Sequence, residues 1–338
     1  MLKYILKRLG LSILILLGVS IIIYFLIRCM PVSFIDDKIA QLSQGGATIP
    51  EETVANMKKL YGLEDNSFMG IVKGYFNWLL NLFKFDKENG FYFNFGESFK
   101  YGIPVTEKIK EGMGVSFAVA FIATIFEFMI AIPLGVTAAT HQYSVRDYVV
   151  TVLVMIGISL PSFFFGQLLK DVFAMKLGWF PPSGILDATQ SLSGVKLLAD
   201  YARHMFIPIL TVVILSIGGR MRMTRTNMLE VLNSDYIRTA RAKGLKEKKV
   251  IYKHAFRNTL IPLVTSLAGL LPSLFSGAII TEQVFDLPGI GNTAFQAMVA
   301  ADIPFIMGYN MFLALLSVIG VLLADLMYAW VDPRVKLS

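Results

Sequence analysis

A carboxylate in the middle of an apolar run is the rarest chemistry in this sequence. Glu127 interrupts "FIATIFEFMIAIP", where a charge costs about 2.5–3.5 kcal/mol to insert into a bilayer. Eleven Val, Ile, Leu and Phe residues between positions 115 and 134 return about 3–7 kcal/mol at 0.3–0.6 each. A helix there still inserts, provided Glu127 faces protein or water. Three roles fit such a group: a pathway residue that meets an amino end in transit, a buried and protonated hydrogen-bonding residue, or a proton relay. Gln167, Lys170 and Asp171 stand close together and could pair or line an outer vestibule. Pro288, Gly289 and Gly291 mark a tight turn, read equally as a contact surface and as a plain surface or re-entrant turn.

Little else is equipped for catalysis. His141, His204 and His254 are far apart and lack the spacing of a zinc helix. Cys29 is the single cysteine, so neither an internal disulfide nor a Cys-rich metal site is available. A Gly-x4-Gly-Lys-Ser/Thr phosphate loop is missing from the sequence. No cofactor is expected in this chain.

The elements that must hold these residues are membrane spans. Of 338 residues, 55% are hydrophobic and only 16% charged, against about 25% charged for a soluble domain. The run Leu9–Ile27 measures about 28 Å as a helix, which matches the hydrocarbon core. It exceeds the apolar region of an export signal and ends in "IRCMP" rather than in small residues, so it reads as a retained helix. The expected spans are 9–29, 115–138, 148–170, 205–222, 259–281 and 306–328, six helices in an all-α polytopic protein. Arg220 and Arg222 soften the end of the fourth.

Loop charge sets the orientation. Residues 220–258 carry eleven Lys and Arg against three acids, and 283–305 carry none, only Asp286 and Asp302. The positive side is cytoplasmic. The N-terminus (1–8), the loop 223–258 and the C-terminus (329–338) therefore face the cytoplasm, and 30–114, 171–204 and 282–305 face outward. The stretch 30–114 is too long for a connection, and its amphipathic pieces "EETVANMKKLYG" and "FMGIVKGYFNWLLNLF" suggest a folded extracytoplasmic cap.

Ser234–Asn258, "SDYIRTARAKGLKEKKVIYKHAFRN", is the densest positive cluster. Ser234 is expected to cap a helix whose first turn holds Asp235, and Gly244 to stop it. A second helix then runs from about Lys246 into the fifth span, with Pro262 in its first turn. Thr239, Ala240, Ala242 and Gly244 leave a small-residue patch flanked by Arg241, Lys243, Lys246, Lys248 and Lys249, a shape suited to an acidic groove on another protein. Topology alone, or anionic lipid, would also explain the lysines. Nucleic acid fits poorly, because no aromatics are laid out for bases.

"DYIRTARAKGL" followed by "HAFRNTLIPLV" resembles the coupling loop of the oligopeptide/dipeptide ABC-importer permease family. "MLKYILKRLGLSILILLGVS", "FGESFKYGIPVTEKI", "TEQVFDLPGIGNTAFQAM" and "DLMYAWVDPRVK" resemble further segments of that family, in the same order. Ala240 and Gly244 match its small loop positions, whereas Arg238 and Thr239 replace the acidic residue and first alanine of the general importer loop, as is similar in the peptide branch. The "MPVSF" turn and an expanded 64–100 depart from the family.

The resemblance implies a type I ABC-importer transmembrane fold in the bacterial inner membrane, forming half of a peptide pathway. It implies a heterodimer with a second related permease, two ATP-binding subunits that hold ATP and Mg, and an extracytoplasmic peptide-binding protein. Arg238, Thr239, Ala240, Arg241, Lys243, Gly244 and Leu245 would then couple to the ATPases. The chain itself would be a permease and not an enzyme. The rival is an ion-coupled secondary transporter using Glu127, which should show half-repeats; none is evident in the sequence.

Overall fold

A computed structural model describes residues 2–28, 67–86, 90–187, 189, 191–266 and 269–331. The segment "EETVANMKKLYG" and the "MPVSF" turn lie outside the described residues, as does the tail beyond Val331. The chain divides into two compact units, one of residues 2–112 with 293–318 and the other of 113–292 with 319–338.

The first unit begins with α1, Leu2–Arg28. Next among the described residues is α2, Phe68–Leu82, whose N-cap Ser67 accepts a hydrogen bond from the Gly70 amide at 3.1 Å. Its Tyr75, Trp78 and Leu82 face inward at helical spacing, and they pack with Tyr24, Ile303, Met307 and Met311. The hydroxyls of Ser20 and Tyr75, 2.7 Å apart, satisfy each other inside this apolar cluster. Beyond α2 the structure adds an element that the all-helical expectation lacked. Strands β1 (Phe83–Asp86) and β2 (Gly90–Phe93) pair antiparallel, Phe83 opposite Phe93. Aromatic residues opposite each other on a pleated surface stabilise such a ribbon, and the Phe83 and Phe93 rings lie 5.6 Å apart.

Asp302 holds the rest of this unit together. Fully buried, its carboxylate accepts hydrogen bonds from the Ser98 hydroxyl and from the amides of Phe99, Lys100 and Phe305. Burial, and then the Asp302 charge, push the nearby Tyr101 hydroxyl above its usual range.

In the second unit the expected second span lies within α3, Val105–Thr140, and the fourth within α6, Gly194–Leu232. The third is not one straight helix. It consists of α4 (Val145–Ser159) and α5 (Ser162–Leu169), bent by 100° and continued by a π-helical stretch, Lys170–Lys176. Pro161 causes the break: it disfavours helical geometry in Leu160, whose ψ is 134°. Where α4 meets α6, small residues allow the approach. A Cβ on Gly157 would stand 3.2 Å from the Ile214 carbonyl, and one on Gly218 would overlap the Ile158 side chain.

After α6 come α7 (Asp235–Ala242), α8 (Glu247–Lys249), a π-helical turn (Val250–Ala255) and α9 (Phe256–Ser266). The fifth expected span is broken at Gly277, whose φ is +76°, between α10 (Leu270–Ser276) and α11 (Ile279–Val284). Pro272 belongs to the first turn of α10, where its missing N–H is harmless, and does not bend a helix interior. Two helices remain, α12 (Ile290–Val299) and α13 (Ile303–Val331). Among the described residues four helices are long and apolar enough to cross a membrane, five with the bent pair.

Candidate functional site: a basic helical loop and an intramembrane charge pair

The basic loop is built on the end of α6. That helix has 39 residues, about 58 Å at 1.5 Å per residue, so it outruns a hydrocarbon core of about 30 Å. Ile237 and Ala240, three apart on α7, turn inward onto Met228, Val250 and Ala255. Ala240 is therefore a core residue of the loop itself, not part of an exposed small patch; it is 7% exposed. Thr239, Ala242 and Gly244 do face outward, as do Arg238, Arg241 and Lys243, while Leu245 packs against the loop core. Ser234 stands at the N-cap position of α7 as expected, but does not cap through its side chain. Its hydroxyl donates to the Val231 carbonyl at 2.6 Å and caps nothing on α7.

Gly244 ends α7 as expected. Its φ of +73° is left-handed, and its amide donates to the Arg241 carbonyl at 2.9 Å. No atom lies within 4 Å of where a Cβ would be, so backbone conformation rather than crowding within this chain demands glycine. Across the turn Arg241 donates to Glu247 at 2.7 Å. That hydrogen bond, assisted by the neighbouring charges, holds the Glu247 carboxyl below its usual range and raises Arg241. Gly244, Lys246, Lys248 and Lys249 border a shallow basic cleft of about 490 Å³.

Beside this loop Arg225 of α6 donates to both oxygens of Asp147 on α4, at 2.9 and 2.8 Å. Asp147 also accepts from the Tyr143 amide at 3.1 Å and the Thr151 hydroxyl at 3.4 Å.

Glu127 lies deeper, on the face of α3 turned to α6. Arg220 Nε donates to its carboxylate at 2.9 Å, and the same guanidinium donates to the Ser266 hydroxyl of α9 at 2.7 Å. Arg220 also stacks over the Phe128 ring, 4.4 Å from its centroid. The Glu127 and Arg220 side chains are 12% and 17% exposed. A different face of α3, with Ile122, Phe126 and Ile130, joins Tyr201, Phe206 and Leu210 of α6 around an apolar groove of about 720 Å³.

The other candidates separate. Gln167 is exposed, Lys170 donates to the Val284 carbonyl at 2.8 Å, and Asp171 pairs with Lys176 at 2.9 Å. The three do not pair with one another. Gly289 and Gly291 are buried against a carboxylate that sequence reading missed, and Pro288 is exposed. Glu282, 1% exposed, accepts from the Ser116 hydroxyl at 2.6 Å and from the amides of Ala278 and Asn292 at 3.1 and 2.8 Å. A Cβ on Gly289 would collide with that carboxylate. The turn is thus wrapped around Glu282, and its glycines are needed for close approach.

The sequence profile of binding-protein-dependent transport system inner membrane components matches residues 131–337, and the profile of their N-terminal region matches residues 1–120. The chain is 36% identical over 341 residues to the oligopeptide transport system permease protein AppB of Bacillus subtilis, covering 99% of this chain and 100% of that protein. It is 32% identical over 337 residues to the oligopeptide transport system permease protein OppB of Haemophilus influenzae, with the same coverage of 99% and 100%. The dipeptide transport system permease protein DppB of Alkalihalophilus pseudofirmus is 31% identical over 350 residues, again covering 99% and 100%.

Proposed function

This chain belongs to the family of binding-protein-dependent transport system inner membrane components, and from that membership we infer that it forms half of a peptide pathway driven from the cytoplasmic side. It is a multi-pass permease subunit of an ABC importer in the bacterial inner membrane, and it works with ATPase and transmembrane partners. The finer assembly proposed is a heterodimer with a related permease, two ATPase subunits with their ATP and Mg, and an extracytoplasmic protein that delivers peptide. No cofactor is assigned to this chain. Six crossings with both termini cytoplasmic follow from the loop charges.

The observation that carries the coupling assignment is the helix–Gly244–helix knob: a basic surface with open space around a left-handed glycine. ATP-driven closure of the ATPases would press on Arg238, Thr239, Arg241, Lys243 and Gly244. Ile237, Ala240 and Leu245, packed on Met228 and Val250, would pass that displacement to α6, and Arg225 would pass it to α4 through Asp147. Pro288, Gly289 and Gly291 form the outer-loop surface, and Gln167 and Asp171 the outer-vestibule candidates. The ion-coupled alternative gives way to the importer reading that the family membership supports.

The test is a tagged chain extracted mildly from native membranes, with stoichiometric partners identified by mass spectrometry. A second permease and ATPases should copurify, and Lys246→Glu with Lys248→Glu and Lys249→Glu should lose the ATPases while keeping the permease. Recovery of the chain alone, still transporting, would overturn the reading.

A further inference from the structure

Two ion pairs lie within five residues of each other along α6, and they are built differently. At Asp147–Arg225 both carboxylate oxygens take guanidinium hydrogens, and a hydroxyl and an amide fill further acceptor positions. This is the saturated bonding that a buried pair needs when its only task is to join helices. At Glu127–Arg220 the carboxylate takes one bond, through Oε1. Among the described residues Glu127 Oε2 and Arg220 Nη2 make no further hydrogen bond. Yet this pair lies deeper in the apolar runs, where unfilled valences on charged groups are most costly. Both side chains remain partly accessible, at 12% and 17%.

We propose that Glu127 and Arg220 are a binding site for the charged ends of a peptide, held closed by pairing with each other until cargo arrives. The Glu127 carboxylate takes the ammonium end and the Arg220 guanidinium takes the carboxylate end. Resting as a pair, each group neutralises the other in a low-dielectric setting. When a peptide enters, its two termini replace that one contact with two of the same kind, so no charge is stranded in the membrane during the exchange. The ends of an extended dipeptide lie about 7 Å apart, so the pair must part for both to be held. Its single hydrogen bond suits it to that parting, whereas the forked Asp147–Arg225 contact does not. Side chains of the peptide play no part in this recognition, which suits a path that must pass many sequences. Ser266 gives Arg220 a second anchor, so the guanidinium stays placed while Glu127 changes partner.

The inference rests on the peptide reading above, and the experiment separates the two. The whole importer is reconstituted in proteoliposomes, and uptake of trialanine, N-acetyl-trialanine and trialanine amide is compared at equal saturation of the delivering protein. Glu127→Gln keeps a hydrogen bond to Arg220 but removes the charge. It should cut the preference for free over acetylated peptide about tenfold, in keeping with the loss of one charge-assisted hydrogen bond. Arg220→Gln should do the same for free over amidated peptide. The double variant Glu127→Gln with Arg220→Gln, neutral throughout, should lose both preferences while still copurifying with its partners. Uptake of all three peptides falling by one common factor, or preferences that do not change, would overturn the site and leave the pair a structural brace. A wild-type importer that moves none of the three would overturn the peptide reading, and this inference with it.

Discussion

Arg225 grips Asp147 through two hydrogen bonds, of 2.9 and 2.8 Å, and so ties the C-terminal part of α6 to the start of α4. Asp147 is 4% exposed. Removing one partner strands a charge, which costs about 3–5 kcal/mol for a buried pair. Arg225→Met should lower the thermal midpoint of the detergent-extracted complex sharply. Adding Asp147→Leu to it should recover much of that loss, and a double variant no better than the single would deny the pair its importance.

Two neighbours in the basic loop should respond in opposite ways to bulk. Ala240→Trp overfills the packing around Met228 and Val250, at about 1–3 kcal/mol or more, so the complex should become less stable. Gly244→Ala meets open space and should cost only about 1–2 kcal/mol for its left-handed backbone. Gly244→Trp should leave the complex assembled but let ATP be hydrolysed without uptake. Normal coupling in that variant would remove Gly244 from the transmission path.

Acid should loosen the same turn. Because Arg241 holds Glu247 below its usual range, the pair's contribution is complete above the unfolded carboxyl value of about 4.3 and disappears as pH falls through the lower folded value. Hydrogen exchange of amides 243–250 should be insensitive to the pair's titration between pH 7 and 5 and should rise below about pH 4. Glu247→Gln should abolish that acid step, and an unchanged step would assign it elsewhere.

Glu282→Ala should be poorly tolerated although no positive charge is among its hydrogen-bond partners. It would leave the Ala278 and Asn292 amides and the Ser116 hydroxyl without their acceptor, at about 1–3 kcal/mol for each buried group left unmet. Glu282→Gln keeps one acceptor oxygen and should cost less. Equal losses for the two would show that shape, not acceptance, is what the turn needs.

Loop charge and apolar composition made the membrane class and the basic knob legible, because these are one-dimensional properties. The Gly244 stop was legible for the same reason: a glycine after a helical run leaves few other backbone choices. What escaped was pairing across the chain. Arg220 reads locally as the frayed end of a span, and only the demand that Glu127 find a counter-charge could have pointed to it. Glu282 reads as one acid in a loop, and its three amide and hydroxyl donors come from positions as distant as Ser116. Ala240 looked like an open surface because smallness alone cannot tell an approach from without from packing within. The 100° break at Pro161 falls inside 148–170, a run whose apolar length alone reads as one continuous span.

The clasp at Asp302 also sets an order of assembly. The aromatic cluster of Tyr24, Tyr75 and Trp78 is made early in synthesis, but Ile303, Met307, Met311 and Asp302, which close that unit, emerge about 220 residues later. At 5–20 residues per second the ribosome needs roughly 10–45 s to deliver them. For that interval the Ser98–Lys100 donors and the inward face of α2 stand without their closing partner. A chain that stops short of Met311 therefore leaves the inward face of Tyr75, Trp78 and Leu82 uncovered, however well its earlier helices have formed.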